Sequence, residues 1–194
     1  MNEKKLIILK TALQLFYRKG IHAVGVNEVI KCSGVAKKTM YYHFESKEAL
    51  VIEALKLRDI KFLSWLKGLF EQSDTGQKAI IDMFHGLDAW FNDKAEPLGD
   101  FRGCFFINAS AEYREPNSPI YLECQAHKER VIELIKSQAR RFISHPQTIE
   151  NIAATLGILK EGCITSALVQ NDKQAAVKVL PIVHSLILNP DMCV

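Results

Sequence analysis

The stretch from Gly25 to Lys47, GVNEVIKCSGVAKKTMYYHFESK, constrains this chain more than any other. It reads as two short helices joined by a tight turn. Val26, Val29 and Ile30 give the first helix an apolar stripe, and Ser33-Gly34-Val35 supplies a glycine where the backbone must reverse and an apolar residue to seal the corner. Met40, Tyr41 and Phe44 recur at helical spacing, so the second helix is pinned by one face. Its other face carries Lys37, Lys38, Thr39, Tyr42 and His43. A helix fixed from behind and free in front offers cations, hydroxyls and a flat ring to phosphates and base edges in a major groove. The pattern points to double-stranded DNA as a partner.

The run GVAKKTMYYHFESKEAL resembles the motif of tetracycline-repressor (TetR) family regulators: Gly-Val, a basic or small pair, Thr, an apolar residue, Tyr, an aromatic, His or Tyr, Phe, then Ser-Lys. The likeness extends upstream through Phe16 and Gly20 and so covers about the first quarter of the chain. It implies an all-α protein with a three-helix helix-turn-helix head and a helical body for effector binding and dimerisation. Residues 1–46 form the expected head and 47–194 the body, with a helix over 47–68 as connector. Carried over residue by residue, the family's DNA contacts fall on Lys37, Lys38, Thr39 and His43 for base reading. Tyr42 and Lys47 fall at phosphate positions, and Asn27 at a backbone or base position. Tyr41 stands at a tyrosine position whose ring packs inward while its hydroxyl reaches phosphate. Two residues depart from the pattern. Val24 and Gly25 stand where the family usually has Thr and then Ser or Thr. Glycine still serves as an N-cap, so the helix should survive while one phosphate contact is lost.

Charge is distributed in the same sense. Residues 1–67 hold 13 Lys and Arg against 6 Asp and Glu, a balance of +7, while the remainder holds 12 against 16, or −4. A polyanion would meet one end of such a chain and not the other. The five cysteines, Cys32, Cys104, Cys124, Cys163 and Cys193, are scattered without a CxxC pair, which suits reduced thiols in a cytoplasmic protein. The runs Phe105–Ala111 and Val179–Leu188 are shorter than the about 20 apolar residues of a spanning helix, so no membrane partner is expected. Lys4-Lys5 precedes too short an apolar run for a signal peptide.

The remaining periodicity is helical throughout. A first helix is expected over 2–19, ended by Gly20, and Ser46 looks like the cap of the connector. Further helices are expected from Ser73–Gly76 to Phe91, near Gly103–Tyr113, from Pro119 after a Ser118 cap to Ser144, over 148–170, and over 172–188 with a kink at Pro181. The last two are rich in small residues and suit an interface between two copies. Ile152, Leu156, Leu159, Cys163, Ala167, Val179, Val183 and Leu186 are the expected homodimer contacts, against the plainer reading of an intramolecular core.

The resemblance also implies an unidentified small-molecule effector. Inward polar and soft groups at Cys104, Asn108, Glu112, Cys124 and His127, with Phe62, Trp65, Phe84, Trp90 and Phe105 as apolar wall, are the candidates. Each has a duller role: the aromatics as core, Asn108 and Glu112 as partners of neighbouring helix ends, His127 as a satisfied core histidine. Glu123 and His127 have i, i+4 spacing, but no further His or Cys set completes a metal site. No nucleophile motif or phosphate loop is present, and neither catalytic residue nor cofactor is expected; Glu112 with His127 as an acid–base couple is the weak enzymatic rival. Two other readings stay open: a helical ligand-binding or interaction protein without specific DNA binding, and a thiol-responsive regulator acting through Cys104, which has Arg102 near it in sequence.

Overall fold

A computed structural model of the chain describes residues 2–190; Cys193 lies outside the described residues. The elements are α1 (Glu3–Lys19), α2 (Val26–Ser33), α3 (Lys37–His43), α4 (Lys47–Glu71), α5 (Gly76–Phe91), a 3₁₀ turn (Glu96–Leu98), α6 (Phe105–Glu112), α7 (Pro119–Ala139), α8 (Pro146–Val169), α9 (Ala175–Lys178) and α10 (Leu180–Leu188). The fold is all-α, and the described residues include no strand. Two compact units divide it: Met1–Ile60 with Cys104–His127, and Lys61–Gly103 with Lys128–Val194. The division therefore falls elsewhere than after residue 46. The first unit takes in the start of α4, all of α6 and the first turns of α7.

The helix starts follow their side chains. The Asn2 carboxamide oxygen accepts from Lys4 N–H at 3.0 Å, the Ser46 hydroxyl from Ala49 N–H at 3.1 Å, the Thr75 hydroxyl from Lys78 N–H at 3.1 Å and the Ser118 hydroxyl from Tyr121 N–H at 3.2 Å. Each satisfies a donor that the helix cannot. In the first unit, Ile8, Leu9, Ala12, Leu13 and Phe16 of α1 are buried with Ile21, Val24, Val29, Met40, Phe44, Leu50 and Leu55. Val24, one of the two departures from the family pattern, is wholly buried and belongs to this core.

The second unit is built on α5 and α8, with Ile80, Met83, Phe84, Leu87, Trp90 and Phe91 buried on the former and Ile152, Ala153, Leu156, Cys163 and Ile164 on the latter. The start of α5 meets the end of α7 closely: a Cβ at Gly76 would stand 2.2 Å from the Gln138 carbonyl oxygen. Arg141 donates to the carbonyls of Ser73 and Asp74 at 3.3 and 2.7 Å. This clamp explains why α7 stops at Ala139 instead of running to Ser144, so that Phe142 lies in the turn that follows. The expected last helix over 172–188 is likewise two pieces. The chain breaks at Val179, and Pro181 sits in the first turn of α10, where its missing N–H costs nothing. By length and composition α8 could cross a membrane, yet it buries ten of its residues, Lys160 among them. It is a core helix.

Candidate nucleic-acid interface

Sharp local geometry sets the helix-turn-helix. Gly25 caps α2 in extended backbone with no side-chain hydrogen bond, and the helix forms all the same. Gly34 closes it at φ +68°, ψ 14°, a left-handed conformation that costs glycine nothing, with its N–H donating to Ile30 O at 3.1 Å. Three residues later α3 begins, with Ala36 O accepting from Thr39 and Met40 N–H.

Met40 (0% exposed) and Phe44 (3%) hold the back of this segment. Burying two such side chains contributes about 3–6 kcal/mol relative to leaving them in water. Tyr41 does not join them. It is 46% exposed, because one residue past Met40 lies about 100° around the helix. The expected inward packing of its ring is thus corrected. In front, Lys37, Lys38 and Asn27 are exposed, and Tyr42 is the most exposed large hydrophobic side chain of the unit's described residues at 82%. Thr39, His43 and Lys47 are half-buried. The Tyr42 and His43 rings meet edge to face at 4.9 Å, which limits the freedom of both. Neither Lys37 nor Lys38 has an ion-pair partner among the described residues. Some other lysines of the unit are engaged: Lys19 reaches Glu28 at 2.6 Å, and Lys5 lies over the Phe44 ring at 5.5 Å.

The residues expected around an effector fall into both units. Phe62, Trp65 and Trp90 pack on one another at 5.2 to 6.4 Å between centroids, and Trp90 meets Phe101 edge-on at 5.0 Å. Phe84 is wholly buried and Trp65 half-buried in the same unit. In the first unit Cys104, Phe105, Cys124 and His127 are buried and Asn108 half-buried. His127 Nδ1 lies 2.7 Å from Asp59 Oδ1, and its ring stacks on Phe106 at 3.5 Å and 7°. Arg58, beside Asp59, lies over the Tyr17 ring at 4.7 Å, and burial lowers its pKa. Both acidic and basic members of this cluster sit on the connector, where a helical stripe of leucines masks them in the sequence. Among the described residues no cluster of His, Cys, Asp or Glu has the makings of a metal site.

Glu112 is placed differently from the other candidates. Its Oε1 accepts from Ile21 N–H at 2.8 Å and its Oε2 from His22 N–H at 2.5 Å, so both oxygens are spent on the turn after α1. His22 Nδ1 stands 3.7 Å from Oε2, and the His22 and Tyr113 rings approach to 4.9 Å.

The expected dimer contacts need rotating. Ile152, Leu156, Cys163, Ala167 and Val183 are buried inside the second unit, so a second copy has nothing left there to cover; Leu159, Val179 and Leu186 are half-buried. The outer stripe of α8 is instead Ala154, Ile158, Gly162, Thr165 and Val169, with Ile158 72% and Val169 75% exposed, and α10 adds Ile182 and Leu188. As for the thiols, burial and then Asp172 push Cys163 up to about 11, which makes it a poor nucleophile.

Residues 8–54, spanning α1 to the start of α4, match the family described as bacterial regulatory proteins, tetR family. The HTH-type transcriptional regulator YerO of Bacillus subtilis is 46% identical over 54 residues, 28% of this chain and 19% of that protein. The chain thus spans about a fifth of the length of that curated relative. The HTH-type transcriptional repressor ComR of Escherichia coli is 26% identical over 165 residues, covering 82% of this chain and 77% of ComR. In fold, the chain is similar to a TetR-family transcriptional regulator from Streptomyces coelicolor, with a TM-score of 0.86 and 22% identity over 97% of this chain and 90% of that one.

Proposed function

We propose that the chain, whose residues 8–54 match the tetR family of bacterial regulatory proteins, is a ligand-responsive DNA-binding transcriptional regulator of that family, a repressor released from a palindromic operator by a small-molecule inducer. The observation that carries this reading is the front of α3. Lys37, Lys38 and Tyr42 are exposed on a helix whose Met40 is buried together with Phe44 just after it, so two cations without an ion-pair partner among the described residues, and a hydroxyl, are held in a fixed pose. Phosphate neutralisation by such lysines supplies affinity, and the side chains nearest the groove floor supply selectivity.

A second copy of the chain on the outer stripe of α8 and α10 would pair two heads, and a palindrome read in successive major grooves has half-sites about 34–36 Å apart or a multiple of that. The protein would act in the cytoplasm, where its operator is. An inducer with higher affinity for a head arrangement that does not fit the groove would lower DNA affinity by the difference in its binding free energy between the two arrangements.

Footprinting on the DNA upstream of the protein's own coding region tests the reading. The expected result is a protected palindrome bound more tightly than scrambled oligonucleotide at moderate ionic strength. Equal affinity for both would leave a helical ligand-binding protein without a DNA target.

A further inference from the structure

Helix α6 is fastened at its two ends to α1 and to the turn that follows α1. At its start, Phe105 meets Tyr17 of α1 edge-on, with centroids 5.9 Å apart. At its end, the Glu112 carboxylate receives the N–H groups of Ile21 and His22, and Tyr113 lies beside the His22 ring. Those two amides lie between α1, which closes when Gly20 N–H donates to Phe16 O at 2.9 Å, and α2, which begins at Val26. Gly20 shapes this turn: its φ of +91° is a conformation that a side chain rarely adopts, while a Cβ there would meet Glu112 Oε1 at an ordinary contact distance of 3.4 Å.

We propose that Glu112 is the residue through which α6 sets the pose of the DNA-binding helices. The inference rests on the DNA-binding reading above and concerns its regulation. A carboxylate has two acceptor oxygens and can take both N–H groups at once, with charge-assisted strength. Both bonds hang on one side chain at the end of a helix of eight residues, about 12 Å long at 1.5 Å per residue. A displacement of α6 by about 1 Å carries both out of hydrogen-bonding range together, since such bonds weaken steeply beyond normal length. The turn then holds two amides without their acceptor, and α2, which carries α3 behind it, keeps its relation to α1 through core packing and the Lys19–Glu28 pair alone. Glu112 is a positioning residue and need not touch DNA.

Residue-resolved amide exchange on the full-length protein, together with affinity for the footprinted operator fragment, tests this. In Glu112→Ala the Ile21 and His22 amides should exchange at least about tenfold faster, the effect of losing a hydrogen bond to a charged group. The buried Ile8 and Leu87 amides should not change. Operator affinity should fall about tenfold by the same loss. Glu112→Gln, of equal size but with one acceptor oxygen, should hold one amide and release the other, with an intermediate loss of affinity. Unchanged exchange at the two amides in Glu112→Ala overturns the proposal. So does equal acceleration at Ile8, which would make Glu112 a general stabiliser, and so does unaltered operator affinity beside faster exchange. A wild-type protein that does not prefer the fragment over scrambled DNA defeats the DNA-binding reading itself, whatever the variants do.

Discussion

Helices α3 and α6 have seven and eight residues and lie in the same unit, yet they put their polar side chains to opposite uses. The first buries Met40 and leaves Lys37, Lys38 and Tyr42 open. The second buries Phe105, Phe106 and Ala109 and commits its terminal carboxylate to two backbone amides. An open cationic face is a means of meeting something outside the chain, whereas a committed carboxylate joins two parts within it. On the function proposed above, the first would meet DNA and the second would hold the pose of the helices that do.

Met40→Ala bears hardest on this contrast. Removing the wholly buried side chain behind α3 should cost about 2–5 kcal/mol of stability in denaturant unfolding, and operator binding should be lost with it. A variant that unfolds like wild type would mean that the open face is not fixed from behind. On the α6 side, Gly20→Ala forces a side chain into φ +91°, and should destabilise by about 1–3 kcal/mol through backbone strain. Thermal unfolding measures it; a neutral outcome would show that the turn does not need its present shape.

Lys37→Ala should weaken operator binding by about 1–3 kcal/mol if the lysine reads a base. An equal loss on random DNA would instead assign it to phosphate. For each of Lys37 and Lys38 that contacts phosphate, the log–log dependence of affinity on salt should flatten by about 0.9 on its removal, as titrations at several ionic strengths would show. Tyr42→Ala carries the smallest effect on the fold, within about 0.5 kcal/mol, since the ring is already in water. Any change in its operator affinity is then a contact and not a repacking.

The same contrast explains what could be read before the structure. The helix-turn-helix was legible because its rules are local: Gly34 at the corner, Met40 and Phe44 one turn apart, Ser46 as a cap. Tyr41 misled because aromatic type suggests burial while its angular position decides it. The end of α7 at Ala139 depends on Arg141 reaching carbonyls 67 and 68 residues earlier, and no periodicity carries that. Pro181 announced a disturbance in the last helix, and the break falls two residues before it. Small residues on α8 were visible, but which of two adjacent stripes faces inward depends on packing within the second unit. The partners of Glu112 lie 91 and 90 residues away. Its side chain type shows only that some acceptor is available, and the turn that uses it becomes visible when the helices are in place.

The bare cap at Gly25 has a consequence for the cell. Where the tetR-family pattern that the chain resembles has a neutral hydroxyl to offer a phosphate, this chain has Gly25, so on the proposed reading its hold on DNA would lean more heavily on ammonium groups. Potassium competes with ammonium and hardly at all with a hydroxyl. A rise in cytosolic potassium, as during osmotic upshift, should therefore empty this operator sooner than that of a relative with serine at the same place.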